Sequence, residues 1–224
     1  MDPTRVGVIG SGAVGRALAA GFASRGHEVT IGTRDPEEND ELQAWAAQHD
    51  NVAIGHFTAA AEAGEIVVLA TRGTVVREAI QTAGPQHFAG KLVIDATNPL
   101  APDPATGAPG LAIGHTDSGG ETVQRTLPDA RVVKCFNTVN NALMADPGFD
   151  PRRPMFIAGD DADAKATVTD ILDDFGWDAL DVGGIEQSRQ LESLVLLWVA
   201  VGRATGAWNH APAFVTPGDD APAA

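Results

Sequence analysis

The sequence lacks several features that mark secreted, membrane and nucleic-acid-binding proteins. Cys135 is its single cysteine, which excludes an intrachain disulfide and a cysteine-based zinc cluster. No apolar stretch reaches the length of a membrane span, and the strand-like run at the start leaves no room for a signal peptide. We therefore expect a cytoplasmic protein without a membrane partner. The 15 lysines and arginines stand against 30 acidic residues, and the net charge of −15 argues against nucleic acid as a partner.

Sequence motifs of metal and acid–base catalysis are missing as well. There is no H-E-x-x-H helix, no nucleophile elbow and no Lys-x-x-x-Asn pair placed as in hydroxyacid dehydrogenases. The histidines are predicted in turns and loops away from the sheet edge, without an acidic residue at an orienting spacing. They are His27, His49, His56, His87, His115 and His210. We expect no metal ion and no catalytic acid or base, so a redox reaction here would be direct hydride transfer that depends on positioning.

What the sequence does contain is a glycine pattern between a strand and a helix at its start. Residues 6–9 form an apolar run that predicts a buried strand, and residues 16–24 predict a helix. Gly10 permits a tight turn, Gly12 lets the backbone approach a pyrophosphate, and Gly15 lets the helix pack closely on the strand. A phosphate is favoured at the helix N-terminus. The pattern predicts a dinucleotide-binding turn, and a purely structural glycine-rich turn is the alternative.

The end of the second predicted strand, Glu28–Thr33, indicates which dinucleotide binds. An NAD site would place Asp or Glu there to hold the ribose 2′-hydroxyl. This chain has Thr33 followed by Arg34. A carboxylate would repel a 2′-phosphate, whereas a hydroxyl and a guanidinium bind it through hydrogen bonds, one of them charge-assisted. The sequence therefore favours NADP.

Strand-like runs alternate with helical patterns, which indicates parallel β-α-β units. We expect a doubly wound α/β fold of the Rossmann type, with the NADP-binding domain in residues 1–140. The predicted strands of this domain are 6–9, 28–33, 52–54, 66–70, 92–96 and 132–136, and its helices are 16–24, 42–48, 59–63, 74–83 and 121–127. Right-handed crossovers place the strand ends on one edge, so Thr33, Thr71, Asn98 and Asn137 should face one crevice.

A small C-terminal α/β extension is expected over residues 141–215, for substrate binding and dimerisation. Its predicted elements are strands 155–158 and 179–182, the helix Ala162–Phe175 and a long helix 185–204. The long helix carries an apolar face, which fits the core or a homodimer interface better than a ligand-binding face. The tail 216–224 is rich in Pro, Gly, Asp and Ala, and we expect it to be disordered.

Polar groups near the later strands are further candidates. Asn98 offers donors and an acceptor beside the expected nicotinamide position, although it could also cap a turn. A Gly/Pro-rich loop follows Pro99. Ser118 or Asp117 could cap the next helix, or the N–H groups at this helix start could hold an anionic group of a second substrate.

These motifs together resemble the deazaflavin-dependent NADP oxidoreductase family, enzymes that pass hydride between NADPH and coenzyme F420. The matching motifs are G-S-G-A-V-G at 10–15, G-T-R-D-P at 32–36, D-A-T-N-P at 95–99, K-C-F-N-T-V at 134–139, A-G-D-D-A at 158–162 and S-R-Q-L-E-S-L at 188–194. The resemblance extends from residue 5 to about residue 214. The reductase domain of the STEAP metalloreductases is similar in the same places.

The resemblance implies an NADP-dependent enzyme whose small-molecule partner is coenzyme F420 or a flavin. It assigns the pyrophosphate to Ser11, Gly12, Ala13 and Val14, and the 2′-phosphate to Thr33 and Arg34. The nicotinamide pocket is assigned to Thr71, Arg72, Asn98, Pro99, Asn137 and Thr138. Asn98 and Asn137 would position the reacting rings. A reductase of another electron acceptor and a non-catalytic NADP-binding redox sensor remain as alternatives.

Overall fold

A computed structural model of the protein describes residues 2–214. The tail 216–224, predicted to be disordered, lies outside the described residues. The strands are β1 (Arg5–Ile9), β2 (Glu28–Thr33), β3 (Val52–His56), β4 (Ile66–Leu69), β5 (Leu92–Asp95), β6 (Leu100–Pro102), β7 (Pro109–Leu111), β8 (Arg131–Lys134), β9 (Pro154–Gly159) and β10 (Asp178–Asp181). The helices are α1 (Ala13–Ala23), α2 (Asp40–Ala46), α3 (Phe57–Ala63), α4 (Val76–Ala83), α5 (Gly119–Thr126), α6 (Ala162–Phe175) and α7 (Ser188–Thr205).

Eight of these strands form one sheet in the order β10-β9-β8-β5-β4-β1-β2-β3. The pairs from β3 across to β8 are all parallel, with β1 between β2 and β4. Strands β4 and β5 are buried along their whole length, because helices cover both faces of a doubly wound sheet. The doubly wound α/β fold predicted from the sequence is confirmed.

The core lies in two layers, one on each face of the sheet. On one face, Leu18 of α1 and Phe175 of α6 pack against the strands in a large apolar cluster. On the other face, Ala60 of α3, Ile80 of α4 and Val123 of α5 form a second cluster. Within residues 2–214, no helix combines the length and the apolar character that crossing a membrane requires.

The direction of β9 departs from the parallel pattern of the earlier strands. It pairs antiparallel with β8, and β10 then pairs parallel with β9. The segment from β8 to β9 contains one short 3-10 turn, Asn141–Leu143, in place of a crossover helix. Without a crossover the chain returns from the edge at which β8 ended, so the next strand must run antiparallel. The C-terminal strands therefore extend the same sheet.

The Gly/Pro-rich segment after Pro99 is a hairpin and not the simple loop expected from its composition. Strands β6 and β7 pair antiparallel, with Leu100 opposite Leu111. The Asp103 carboxylate accepts hydrogen bonds from the backbone N–H groups of Ala105 and Thr106, which forms the turn between them. Helix α7 packs against β7 and α5, so it lies next to the hairpin.

Candidate functional site

A cleft of about 380 Å³ opens at the carboxyl edge of the sheet, where β1, β2 and β4 end. The residues predicted from the sequence that line it are Gly10, Ser11, Gly12, Thr33, Arg34, Thr71 and Arg72. They come from three separate strand ends, and the parallel pairing of these strands brings them together. The cleft therefore has the position that dinucleotides occupy in open α/β sheets.

The glycine turn between β1 and α1 forms the floor of this cleft. Gly10 has φ +122°, and a Cβ on it would lie 2.7 Å from the carbonyl oxygen of Ala70. A Cβ on Gly15 would lie 1.9 Å from the carbonyl oxygen of Gly10, so the close packing of α1 on β1 requires glycine there. Helix α1 begins at Ala13 with Gly12 as its N-cap residue. Because Gly12 has no side chain, the N–H groups of Ala13, Val14 and Gly15 are available to an anion.

The end of β2 forms one corner of the cleft, with Thr33 and Arg34 in its lining. The Ser11 hydroxyl lies 3.2 Å from the Thr33 hydroxyl, so the glycine turn and the end of β2 are held together. The Arg34 side chain follows directly and is exposed. The expectation that His56 lies in a turn away from this edge is wrong. His56 ends β3 opposite Thr33, and its Nδ1 is 3.1 Å from the carbonyl oxygen of Arg34.

One apolar wall of the cleft was not predicted as part of a site. Phe57 at the start of α3 and Val75 and Ala79 at α4 line the cleft together with Thr82. These residues form an apolar surface beside the polar turn, against which a flat heteroaromatic ring could pack. Val75, Ala79 and Thr82 share one helix face by their spacing, which is the signal in the sequence that could have indicated them.

A pair of asparagine amides lies beside the cleft, at the ends of β5 and β8. The Asn98 Nδ2 donates to the Asn137 carbonyl oxygen over 2.7 Å, and the Asn137 Nδ2 donates to Asn98 Oδ1 over 3.0 Å. The Asn137 Nδ2 also lies 2.9 Å from the carbonyl oxygen of Leu191 in α7. Pro99 and Thr138 are the buried neighbours of this pair.

A backbone hydrogen bond between Gly73 and Asn98 fixes where this pair lies relative to the cleft. The Gly73 N–H donates to the Asn98 carbonyl oxygen over 3.1 Å, and Gly73 directly follows Arg72, which lines the cleft. Asn98 and Pro99 therefore lie next to the cleft, and none of Asn98, Pro99, Asn137 and Thr138 lines it. Asn98 and Asn137 were predicted to share one crevice with Thr71, and Asn137 reaches this edge through its hydrogen bonds with Asn98.

A buried ion cluster lies next to the asparagine pair, and it was not predicted from the sequence. The Lys134 Nζ is 3.0 Å from Asp95 Oδ2 and 2.7 Å from Glu192 Oε1, and all three side chains are excluded from solvent. Asp95 ends β5 and Lys134 ends β8, so these two meet through strand pairing. Glu192 belongs to α7, whose position no local pattern specifies. The three residues each lie in a motif of the resemblance, at 95–99, 134–139 and 188–194, and the lysine inside the apolar run 132–136 was the local signal of a buried charge.

The start of α5 is capped by protein groups. The Ser118 hydroxyl accepts a hydrogen bond from the Glu121 N–H, which makes Ser118 the N-cap residue, and it donates one to the Glu121 carboxylate. The N–H groups of Gly119 and Gly120 donate to the Glu192 carboxylate over 2.8 and 2.9 Å. The capping interpretation of Ser118 is therefore correct, and the alternative of an anionic substrate group at this helix start is wrong.

A second cleft, of about 650 Å³, lies between the segment after β7 and helix α7. It is lined by Leu111, Ala112, Gly114, His115, Arg189, Gln190, Ser193 and Leu196. Ala112 donates its N–H to the carbonyl oxygen of Pro99, so this cleft begins beside the Asn98–Pro99 turn. Gln190 directly precedes Leu191, whose carbonyl oxygen accepts a hydrogen bond from Asn137, so the cleft also lies next to the asparagine pair.

The described residues contain neither a reactive thiol nor a metal-binding cluster. Cys135 is buried, and burial raises the pKa of its thiol, which disfavours the nucleophilic thiolate. In the described part of the chain, no three histidine, cysteine, aspartate or glutamate side chains gather closely enough to hold a metal ion.

The two glycines of the turn provide a matched test of the first cleft. A Cβ at Gly12 would meet no atom within 4 Å, so Gly12→Val should fold with native thermal stability and lose NADPH binding. Gly15→Val should instead destabilise the fold by about 1–3 kcal/mol or more, because its side chain collides with the Gly10 carbonyl group. Thermal unfolding and NADPH fluorescence titration measure both effects. A folded Gly12→Val protein with native NADPH affinity would place the nucleotide elsewhere.

Comparison with known proteins identifies the family. Residues 5–99 match the family model of coenzyme F420-dependent NADP oxidoreductases. The F420-dependent NADP reductase of Methanothermobacter marburgensis is 31% identical over 210 residues, which cover 85% of this chain and 88% of that protein. Metalloreductase STEAP3 of Rattus norvegicus is 29% identical over 198 residues, which cover 87% of this chain and 37% of STEAP3. The chain thus spans little more than a third of that relative.

Solved structures show the same relationship. A candidate F420-dependent NADP reductase from Arthrobacter sp. FB24 superimposes with a TM-score of 0.90 at 39% identity, covering 95% of this chain and 100% of that one. An imine reductase from Aspergillus terreus shares the fold, with a TM-score of 0.64 at 19% identity, covering 92% of this chain and 64% of that one. The chain belongs to the family of F420-dependent NADP reductases, and it is an NADP-dependent oxidoreductase.

Proposed function

We propose that this protein transfers hydride between NADPH and a deazaflavin of the coenzyme F420 type, with a flavin as the alternative acceptor. NADPH would give its C4 hydride to the acceptor ring, and solvent would supply the accompanying proton. Coenzyme F420, which the names of the archaeal relatives give, supports a deazaflavin.

The first cleft would hold NADPH with its adenosine end towards β2 and its nicotinamide towards β4. The pyrophosphate would lie over Gly12 at the start of α1, where the free N–H groups and the helix dipole favour an anion. Thr33 and Arg34 would bind the 2′-phosphate, and the apolar wall would take the adenine ring. Thr71 and Arg72, at the end of β4, would then contact the nicotinamide ribose.

The proposal rests on the chemistry of the two asparagine side chains that follow β5 and β8. Asn98 and Asn137 are amides that bond each other, and amides do not exchange a proton with a substrate near neutral pH. They can orient a ring but cannot serve as the general acid that carbonyl reduction requires. Catalysis would come from holding two ring carbons about 3–3.5 Å apart in a site that excludes water.

The second cleft would hold the part of the acceptor that extends beyond the reacting ring. It lies next to the asparagine pair, because Ala112 donates its N–H to Pro99 and Gln190 directly precedes Leu191, whose carbonyl oxygen accepts from Asn137. An acceptor bound there would extend its ring past this pair to the nicotinamide. We propose that the C-terminal region from residue 141 forms this acceptor side together with residues 111–115, and that the rest of residues 1–140 form the NADP side.

Arg34 tests the preference for NADPH over NADH. Arg34→Ala should weaken NADPH binding about ten- to a hundred-fold, because one charged hydrogen-bonding contact contributes about 1.5–3 kcal/mol. Its affinity for NADH should stay close to native, since NADH has no 2′-phosphate. Fluorescence titration with both nucleotides measures this. Arg152→Ala, at an exposed ion pair with Asp173, is the control and should change neither affinity. Equal native affinity for NADH and NADPH would contradict the assignment.

Label transfer tests the direct hydride step. NADPH carrying deuterium at C4 should deliver the label to the reduced deazaflavin, without loss to water, because no side chain takes up the hydrogen between the rings. Asn137→Leu should lower turnover about ten- to a hundred-fold while NADPH affinity stays close to native, since it disturbs orientation and not the phosphate contacts. Asn209→Leu, at an exposed position, is the matched control.

A panel of acceptors distinguishes the alternatives. Coenzyme F420, FMN, FAD and a ferric chelate are each offered with NADPH, and turnover should be fastest with the deazaflavin. Turnover with the ferric chelate alone would favour a metalloreductase. Tight NADPH binding without turnover on any acceptor would favour the redox sensor.

We also propose that α7 forms the interface of a homodimer. Leu197 is 60% exposed and Val201 39% exposed on this helix, while a chain with a net charge of −15 needs an uncharged surface to associate with its own copy. Leu197→Glu should convert a dimer into a monomer in light scattering after gel filtration. Leu180→Glu, at a similarly exposed apolar residue on β10, is the control and should leave the dimer intact. A native protein that is monomeric in this measurement would refute the interface.

A further inference from the structure

The buried cluster of Lys134, Asp95 and Glu192 needs a physical explanation. Moving charges out of water is costly, and apolar residues of similar volume often replace a buried ion pair without loss of stability. Burial disfavours the ammonium form of Lys134, but the carboxylates of Asp95 and Glu192 outweigh this effect and raise the pKa of Lys134. Lys134 is therefore charged. The contacts of the cluster with the chain segments around it indicate a role beyond packing.

On one side, the cluster fixes the turn that carries Asn98. The Lys134 Nζ donates to the Thr97 carbonyl oxygen over 2.6 Å, and the Thr97 N–H donates to Asp95 Oδ1 over 2.9 Å. Both backbone polar groups of the residue before Asn98 are thus bound by the cluster. A change in the cluster would move the Asn98 amide.

On the other side, the cluster fixes the contact of α7 with Asn137. Glu192 binds Lys134 and the start of α5, and the carbonyl oxygen of the preceding residue, Leu191, accepts from Asn137 Nδ2. The cluster has two carboxylates and one ammonium group, and the N–H groups of Gly119 and Gly120 stabilise the additional negative charge. Lys134 is therefore the link between the supports of the two asparagines.

We propose that Lys134, together with Asp95 and Glu192, positions the Asn98–Asn137 pair against the nicotinamide ring of bound NADPH. This inference rests on the proposed function, because it assigns the asparagine pair to ring orientation. The three charged residues are positioning residues, since they line neither the nucleotide cleft nor the acceptor cleft. Their contribution should appear in turnover and not in affinity, because the expected phosphate contacts lie at Gly12 and Arg34.

The test replaces the three charges by neutral groups of similar shape in the triple variant Asp95→Asn, Lys134→Met, Glu192→Gln. The matched control, Arg5→Met with Glu65→Gln, neutralises an exposed ion pair on the same sheet. The measurements are thermal unfolding, the Kd of NADPH, kcat and KM with the best acceptor, and the fluorescence of bound NADPH. The triple variant should keep a Kd close to native and lose about ten- to a hundred-fold in kcat. Its bound NADPH should fluoresce more like free NADPH, because the ring is held less firmly.

Each outcome decides the inference. A folded triple variant with unchanged kcat and unchanged NADPH fluorescence would show that the cluster only stabilises the fold. A loss of kcat with an equal loss of NADPH affinity would show the same. Glu192→Gln alone is the second variant if the triple variant does not fold, and it should show the same split to a smaller extent. If the native protein turns over no acceptor, the proposed function fails, and the fluorescence of bound NADPH still decides whether the cluster positions the ring.

Discussion

The central position of β1 is the constraint on which the rest of the molecule depends. It is hydrogen-bonded on one side to β2 and on the other to β4, with Ile9 level with Gly32 and Leu69. Three chain segments therefore leave the sheet at the same level, and strand pairing alone brings the glycine turn, Thr33 and Thr71 together. The turn is then secured by backbone hydrogen bonds from Gly10 to Gly32 and from Ala70 to Ile9.

The two ends of the site differ in their chemistry. The end at β1 and β2 offers helix N–H groups and Arg34, which suit phosphate groups, and it would supply most of the affinity for a dinucleotide. The end at β5 and β8 offers the neutral amides of Asn98 and Asn137, which bond each other. Binding energy gained at a remote end of a substrate can hold the reacting end in a productive geometry. The separation of these two tasks suits a reaction in which orientation matters more than proton transfer.

The sequence predicted most of the fold and the strand-end residues that line the first cleft, because both depend on local patterns. The strand Glu28–Thr33 and the helix Ala162–Phe175 were predicted with the observed bounds. The antiparallel direction of β9 and the β6–β7 hairpin were not predicted, since they depend on turn geometry. The ion cluster at Lys134 was not predicted either, because Glu192 meets Lys134 only through the packing of α7.

The contacts of α7 also have a consequence for the order in which the molecule is assembled. The N–H of Gly119 and the carboxylate of Glu192 are 73 positions apart in the chain, and Asn137 and Leu191 are 54 apart. The glycine turn and Thr33, by contrast, meet across 22 positions. Contacts between distant positions cost more loop-closure entropy and form later in folding. A growing chain can complete the first cleft while α7 is still being synthesised, so a product that ends before α7 would retain the first cleft beside an unfinished second one.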